Sequence, residues 1–197
     1  DTTIALSAMG ASVLGVDVSA PMLARARSRD ASIEYQQADA ATTDFAHAFD
    51  LVFSRFGVMF FDDPTAAFQN LRNALKPGGR LLFVCWQPPA VNPWMATAGR
   101  AIAPYLPPSD EAPNPRAPGP FAFADAGYVE QILQDAGFSE IQIKAHEESL
   151  KVADTLAEAV QFQTRVGPAA RVMAELEGDQ RARALAAVED ALRPFDG

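Results

Sequence analysis

Asp17 ends an apolar run that is typical of a buried strand, and Asp39 ends a second predicted strand. The carboxyl ends of parallel strands meet at one edge of a sheet, which is where α/β proteins bind ligands. A carboxylate at that edge can accept hydrogen bonds from both hydroxyls of a ribose, and a second carboxylate can accept one from an adenine amine. The alternative is that Asp17 caps the helix that follows it and that Asp39 is an ordinary loop acid. Position alone leaves both interpretations open.

Candidates for acid–base or metal chemistry are few. The chain has two histidines, His47 and His146, and one cysteine, Cys85. His47 precedes a predicted strand and is a minor candidate for contact with a reacting group. His146 lies in a predicted strand and is expected to be exposed or at its edge, whereas Cys85 is expected to pack as a small core residue. A single cysteine excludes an intrachain disulfide and a zinc site built from cysteines. No metal site and no catalytic residue is assigned.

Aromatic residues occur where a pocket for an apolar molecule could form. Phe53 and Phe83 lie within predicted strands and are expected to face the core. Core packing is also the alternative for each of the other aromatic residues, including Phe61. The residues expected to line an acceptor pocket, at or beyond strand ends, are Phe56, Phe60, Trp86, Trp94 and Tyr105.

Helix and strand patterns alternate along the first half of the chain. Ser19 can cap a helix that has Pro21 in its first turn, and Asp63 precedes Pro64 in the same way. The motif Lys76-Pro77-Gly78-Gly79 is predicted to break the second of these helices. The alternation with short connections predicts an α/β fold, a doubly wound, mostly parallel sheet with helices on both faces. The predicted strands span residues 12–17, 33–39, 49–56 and 80–86, and a short helix spans residues 2–9.

The second half of the chain has a different pattern. Residues 87–120 contain most of the 15 prolines, interrupted by a predicted helix over 93–103. Such a stretch cannot sustain a sheet ladder, and it is predicted to form a lid or acceptor-side insertion; the alternative is a surface excursion without function. Alternation around Ile141 and Ile143 predicts a strand within residues 138–152. Further helices are predicted over 125–136, 154–165 and 180–192.

Composition excludes several classes of protein. The chain has 197 residues, of which 49% are hydrophobic and 21% charged, a balance typical of a globular protein rather than a disordered one. Its formal net charge of -9 argues against a nucleic-acid backbone or an anionic membrane surface as the main partner. No apolar run approaches the roughly 20 residues of a membrane-spanning helix. A small molecule is therefore the expected partner, and the oligomeric state is left open.

Four short motifs follow one another in order: Val16-Asp17-Val18-Ser19-x-x-Met22-Leu23, Ala38-Asp39-Ala40, Phe49-Asp50-Leu51-Val52 and Leu75-Lys76-Pro77-Gly78-Gly79-Arg80-Leu81. Together they resemble a class I S-adenosylmethionine-dependent methyltransferase. More narrowly, they resemble the small-molecule branch that includes ubiquinone- and menaquinone-biosynthesis-type enzymes. The resemblance covers the first half of the chain well, and the helix followed by Gly137-Phe138 and a predicted strand fits the family's later region. The family's glycine-rich loop is not found in the sequence. Asp1-Thr2-Thr3 resembles the residues that directly follow those glycines, so the chain is expected to begin one strand late.

The resemblance implies a Rossmann-like sheet and S-adenosylmethionine as the cofactor. It implies that Asp17 binds the cofactor ribose, with Val18 and Met22 packed against the faces of the adenine. It also implies that Asp39 accepts a hydrogen bond from the adenine amino group, while the backbone amide of Ala40 donates to the ring.

The methionine side of the cofactor falls on other residues by the same resemblance. Ser54 and Arg55 are expected near the methionine part and the acceptor, and Asp1 and Thr2 near the methionine carboxylate. A sulfonium already activates its methyl group, so the protein mainly aligns an acceptor for in-line displacement and excludes water. The implied activity is methyl transfer to a small, partly apolar molecule.

Two alternatives to a methyltransferase remain open. An NAD-dependent oxidoreductase also needs an acid after its second strand, although the order of motifs fits the methyltransferase better and no Tyr-x-x-x-Lys pair is present. A non-catalytic, Rossmann-like binding remnant is the other alternative, because the glycine-rich loop is missing.

The chain is expected to be a fragment of a single methyltransferase domain over residues 1–197. The family's sheet has seven strands with the first one central, and that strand and the last one are expected to be missing, the last helix ending at Asp196-Gly197. Whether such a fragment is active by itself is left open. Cofactor supply and the lone cysteine favour a cytoplasmic location.

Overall fold

The computed structural model describes residues 1–45, 47–105, 114–165 and 168–195. Contacts divide the chain into two compact units, each made of two segments. The strand unit comprises Asp1–Cys85 and Ala126–Ile143, and the helical unit comprises Trp86–Asp125 and Lys144–Gly197. The prediction of one domain with an insertion at 87–120 stays a prediction. Residues 106–113 of that insertion, and the predicted chain end at Asp196-Gly197, lie outside the described residues.

Four strands of the strand unit form two parallel pairs. Strand β1 (Leu14–Asp17) pairs with β2 (Glu34–Gln37), and β3 (Phe49–Arg55) pairs with β4 (Leu75–Val84). In the described residues these pairs are separate two-stranded sheets. The prediction of an α/β fold with parallel strands is therefore confirmed, with few of the strands that a complete doubly wound sheet contains.

The helices of the strand unit begin where the sequence predicts. The Ser19 hydroxyl accepts a hydrogen bond from the backbone N–H of Met22 (3.4 Å) at the start of α2 (Ala20–Arg29). The Asp63 carboxylate accepts one from Ala66 N–H (3.0 Å) at the start of α3 (Pro64–Ala74). These side chains satisfy N–H groups that have no partner within the helix. The helices of this unit are α1 (Thr2–Ala8), α2 (Ala20–Arg29), α3 (Pro64–Ala74) and α5 (Ala126–Asp135).

Helix α3 packs one face of the β3–β4 pair. Its Phe68 is fully buried, and the Phe68 ring lies 5.4 Å from that of Phe83 on β4, which confirms that Phe83 faces the core. Phe53 lies opposite Leu82, one residue out of phase with Phe83, and therefore on the other face of the pair. Phe53 is half-buried beside Leu82, which is 54% exposed, so Phe53 does not share the core that Phe83 forms with α3.

The helical unit has its own apolar core. Helix α4 (Pro93–Ile102) packs against α7 (Pro168–Glu175) and α8 (Gly178–Leu192), and α8 also packs against α6 (Leu156–Gln163). Small and branched side chains fill the space between them, among them Ala98, Ile102, Met173, Ala184 and Val188. Short 3₁₀ turns complete the described structure at Val58–Phe60, Pro89–Val91, Ala103–Tyr105 and Arg193–Phe195.

Three expectations differ from the structure. Residues Ile141 and Ile143 have no strand partner in the described part of the chain, so the predicted strand there is absent. Helix α7 is a helix that the sequence analysis does not predict. The motif Lys76-Pro77-Gly78-Gly79 ends α3, as expected, but is itself extended at the start of β4. The register there shifts from Phe49 opposite Leu75 to Leu51 opposite Arg80.

Candidate functional site

The carboxyl ends of β1 and β2 lie side by side. Asp17, the last residue of β1, is in register with Gln37, the last residue of β2. The pairing continues one step further, because Ala38 N–H donates to the Asp17 carbonyl (3.2 Å). Asp39 is the next residue along. The structure therefore brings the two acids together at one sheet edge, which is the placement that the sequence predicts.

The Asp17 side chain is held by the loop that follows it. Its Oδ1 accepts a hydrogen bond from Ser19 N–H (2.8 Å). The cap of α2 is supplied by Ser19 itself, so the carboxylate orients the turn before the helix and does not cap it. No hydrogen bond to the Asp17 Oδ2 is seen within the described residues. That oxygen is the one suited to accept from ligand hydroxyls.

Apolar side chains lie directly beside this acid. Val18 is 64% exposed and Met22, in the first turn of α2, is 56% exposed. The residue directly after β1 is held by the end of β2, because the Gln37 Nε2 donates to the Val18 carbonyl (3.1 Å). Exposed apolar groups beside a charged edge are typical of a surface that a flat, partly apolar ligand covers.

Asp39 is fixed by a turn of its own. Its Oδ1 accepts from Ala41 N–H (2.8 Å), and its carbonyl accepts from the N–H groups of Thr42 (3.2 Å) and Thr43 (2.9 Å). Such a turn sets the direction of the carboxylate and of the Ala40 peptide group that it encloses. The site therefore presents a second oriented acid and a backbone amide beside it.

Glycine at position 15 belongs to this edge although the sequence analysis does not single it out. A Cβ atom at Gly15 would lie 2.5 Å from the Tyr35 ring, which packs over β1. The Tyr35 hydroxyl is 3.1 Å from the Thr3 Oγ1 and so joins α1 to the strand pair. The available signal was a glycine in the middle of a strand, which marks a close approach of another group.

The start of α1 is part of the same unit. Asp1 precedes α1 and forms an ion pair with Arg29 at the end of α2, while Thr2 is half-buried. The guanidinium offsets the charge of Asp1, which would otherwise repel an anionic ligand group. The assignment of Asp1 and Thr2 to the methionine carboxylate stays a prediction.

The end of β3 carries three predicted residues. Ser54 is half-buried and Arg55 is exposed, in register with Phe83 and Val84 respectively. Phe56 follows with a φ of 59°, and its N–H donates to the Val84 carbonyl (3.0 Å). A left-handed conformation is costly for a bulky residue, and such strain is concentrated at functional sites. Phe60, two residues into the next turn, is 53% exposed.

Comparison with known proteins finds a family model that is similar to the first part of the chain. Residues 2–83 match the family model described as a methyltransferase domain. This match covers less than half of the chain and makes residues 2–83, called the methyltransferase region below, similar to a methyltransferase domain. The match includes both strand pairs almost entirely and all of the predicted cofactor-binding residues except Asp1.

Curated relatives of the methyltransferase region act on different acceptors. The chain is 40% identical to a malonyl-[acyl-carrier protein] O-methyltransferase of Enterobacter lignolyticus over 94 residues, covering 47% of this chain and 37% of that protein. It is also 40% identical to a demethylmenaquinone methyltransferase of Thermus thermophilus over 87 residues, covering 42% and 40%. A solved S-adenosylmethionine-dependent methyltransferase from Mesorhizobium loti is 36% identical, with a TM-score of 0.37 and coverage of 41% of this chain and 39% of that one. The chain spans less than half the length of each of these proteins.

The methyltransferase region offers few groups for acid–base chemistry. His47 is bound to the end of α3, because its N–H donates to the Asn73 carbonyl (3.2 Å) and its Nδ1 lies 3.0 Å from the Leu75 carbonyl. Its ring therefore has a structural partner. Burial raises the pKa of the Cys85 thiol, which disfavours the reactive thiolate. No group of three or more acidic, histidine or cysteine residues in the described ranges is arranged to hold a metal ion.

The remaining predicted residues lie in the helical unit. Trp86 and Trp94 stack at an angle, with ring centroids 5.2 Å apart. Both are half-buried, and Gln163 of α6 donates to the Trp94 carbonyl. Tyr105 packs against the core of that unit, which fits the alternative of core packing. His146 is 80% exposed in an irregular segment, so its placement in a strand is wrong, whereas its expected exposure is confirmed.

No helix in the described ranges is both long enough and apolar enough to span a bilayer.

Proposed function

We propose that this chain is part of an enzyme that transfers a methyl group from S-adenosylmethionine to a small, partly apolar acceptor. The observation that carries the proposal is the edge formed by β1 and β2. There two oriented carboxylates, Asp17 and Asp39, lie beside exposed Val18 and Met22, within a region that matches the methyltransferase family.

Each group at this edge fits one part of an adenosine. Asp17 would accept from the ribose hydroxyls with the oxygen that the Ser19 amide does not hold. Val18 and Met22 would contact the faces of the adenine. Asp39 would accept from its amino group, and the Ala40 amide would donate to a ring nitrogen.

The reacting end is proposed at the carboxyl end of β3. Bound S-adenosylmethionine supplies a methyl group already activated by a sulfonium. Ser54 and Arg55 would contact the methionine part, while Asp1 and Thr2 would lie near its carboxylate. Within the strand unit, the aromatic residues Phe56 and Phe60 would help to exclude water and align the acceptor for in-line displacement.

Calorimetry of the 197-residue chain with S-adenosylmethionine, S-adenosylhomocysteine and NAD tests the cofactor. We expect binding of the first two ligands and a much weaker affinity for NAD. Tighter binding of NAD would favour an oxidoreductase. Binding of no nucleotide would leave only the non-catalytic alternative for this chain.

Transfer itself is measured with S-adenosylmethionine that is labelled on its methyl group. We expect label to move to one member of a panel of small phenols, quinols and carboxylic acids. The matched control is the Asp17→Ala variant, in which transfer at low cofactor concentration should fall with cofactor affinity. We also propose a cytoplasmic location, where this cofactor is supplied.

A further inference from the structure

The turn after β2 has a support from outside its own sequence. Asn70 lies on α3, thirty residues away along the chain, and its carboxamide nitrogen donates to two backbone carbonyls of this turn. The bonds run to Ala40 (3.0 Å) and Thr43 (2.8 Å). Asn70 is half-buried, and its helix is anchored in the core by the fully buried Phe68, two residues earlier. The turn is therefore supported by a helix that is packed into the core.

The chemistry of this contact requires an amide. A carboxamide NH₂ has two N–H donors, and here each of them has one carbonyl acceptor. Both neighbours accept hydrogen bonds, so the oxygen end of the side chain would not fit in the same place. An aspartate would put a negative charge against two carbonyl oxygens, and an alanine would leave them without this donor.

The contact encloses the groups proposed to recognise adenine. The Asp39 carboxylate is fixed by the hydrogen bond that it accepts from Ala41 N–H, and the Ala40 carbonyl is fixed by the bond that it accepts from Asn70. The far end of the same loop is also tied to α3, through the bond from His47 N–H to the Asn73 carbonyl. Because the loop is held at both ends, the direction of Asp39 depends on α3.

We propose that Asn70 is a positioning residue that sets adenine recognition by the loop between β2 and β3. This inference rests on the proposed function, because it takes the Asp39 carboxylate as the acceptor for the adenine amine. Asn70 itself would not touch the cofactor. Its effect would be seen in how well the site distinguishes an amino group from an oxo group on the purine.

The test compares binding of S-adenosylhomocysteine and S-inosylhomocysteine, which differ at that purine position, by calorimetry. The wild-type chain is expected to prefer the adenosine compound by roughly tenfold or more, the scale of one or two lost hydrogen bonds. In Asn70→Asp we expect this preference to shrink severalfold, and the amides of residues 41–43 to exchange hydrogen faster without ligand. Asn73→Asp, at an exposed position on the same helix, is the matched control: Asn73 holds the loop only through its backbone carbonyl, so the variant should keep both properties.

Each outcome decides one question. A wild-type chain that binds neither compound overturns the proposed function and leaves nothing for Asn70 to position. A wild-type preference that survives unchanged in Asn70→Asp overturns the positioning role alone. If Asn70→Asp does not fold, Asn70→Ser keeps one donor; an unchanged preference in that variant, together with unchanged exchange, counts against the proposal. A reduced preference supports it.

Discussion

The strand unit and the helical unit use their side chains in opposite ways. In the strand unit, polar groups at strand ends are oriented by short backbone contacts, as Asp17 is by Ser19 N–H and Asp39 by Ala41 N–H. In the helical unit, α4, α7 and α8 bury small and branched apolar residues against one another. The first arrangement fixes the direction of hydrogen-bonding groups, and the second supplies stability and apolar surface. We therefore expect substitutions to separate ligand affinity from stability according to the unit they fall in.

The largest effects are expected in the two cores. Phe68→Ala should lower the free energy of unfolding by about 3–5 kcal/mol, and Ile102→Ala by about 2–5 kcal/mol, since both side chains are almost completely buried. Urea unfolding followed by circular dichroism measures the loss. Tryptophan fluorescence reports on the helical unit, where Trp86 and Trp94 lie.

Ligand affinity distinguishes these two variants. Phe68 anchors the helix that holds the loop after β2, so its loss should also weaken S-adenosylhomocysteine binding. Ile102→Ala should leave that affinity unchanged under conditions where the protein stays folded. Equal weakening by both variants would break the separation of roles between the units.

A smaller effect is expected at the sheet edge itself. Asp17→Ala should weaken S-adenosylmethionine binding by about 1.5–3 kcal/mol, the scale of hydrogen bonds to a charged group. The Asp17→Asn side chain can still accept a hydrogen bond from Ser19 N–H, but this variant should also weaken S-adenosylmethionine binding, because the charge is lost. The control is Glu34→Gln, which removes an acid from the other end of the same strand pair. If Asp17→Asn binds as wild type does, Asp17 acts only on the turn.

Replacing a glycine by alanine is expected to change stability in opposite directions in the two units. Gly15→Ala in β1 should cost about 1–3 kcal/mol of stability, because the new methyl group would overlap the Tyr35 ring. Gly99→Ala in α4 meets no atom within 4 Å in the described structure and should add about 0.5–1 kcal/mol, by reducing the entropy of the unfolded chain. Thermal unfolding of both variants gives the comparison. Destabilisation by Gly99→Ala would mean that the new methyl group meets neighbouring atoms at the α4 surface.

The smallest effect is expected at Cys85, which ends the first segment of the strand unit. Burial raises the pKa of the Cys85 thiol, so less thiolate forms in the folded protein than in the unfolded chain at the same pH. Iodoacetamide should therefore alkylate the native protein more slowly than the urea-unfolded protein, and the native rate should rise at higher pH. The associated stability is present below the unfolded pKa and is lost as pH rises through the folded one. Equal rates in both states would mean that Cys85 is accessible.

The sequence predicts features that depend on neighbouring residues. Ser19 and Asp63 cap their helices because the caps and the first turns are adjacent in the chain. Asp17 and Asp39 lie at one edge because strand direction follows from short connections. The strand expected around Ile141 fails because alternation supplies apolar spacing but no partner strand, and α7 depends on packing against α4, which no local pattern reveals.

The parts of the site that depend on distant residues could not be predicted. Nothing next to Asn70 in sequence indicates that it reaches the turn after β2, since its partners lie about thirty residues away. At Gly15, a glycine within a strand does signal the close approach of another group, but only the structure identifies that group as the Tyr35 ring on another strand. Phe53 lies on the face opposite Phe83 because of the register between β3 and β4, and that register depends on residues that are distant in sequence.

The interleaving of the two units has a consequence for how the chain folds as it is made. Helix α5 packs against α3, and Gln69 donates to the Asp135 carbonyl (3.4 Å), so the strand unit needs residues that follow the first segment of the helical unit. A ribosome releases residues 86–125 before α5 emerges. The side of α3 that packs against α5 therefore stays uncovered until about two thirds of these 197 residues have been synthesised. The strand unit can therefore be completed only after the first segment of the helical unit has been made.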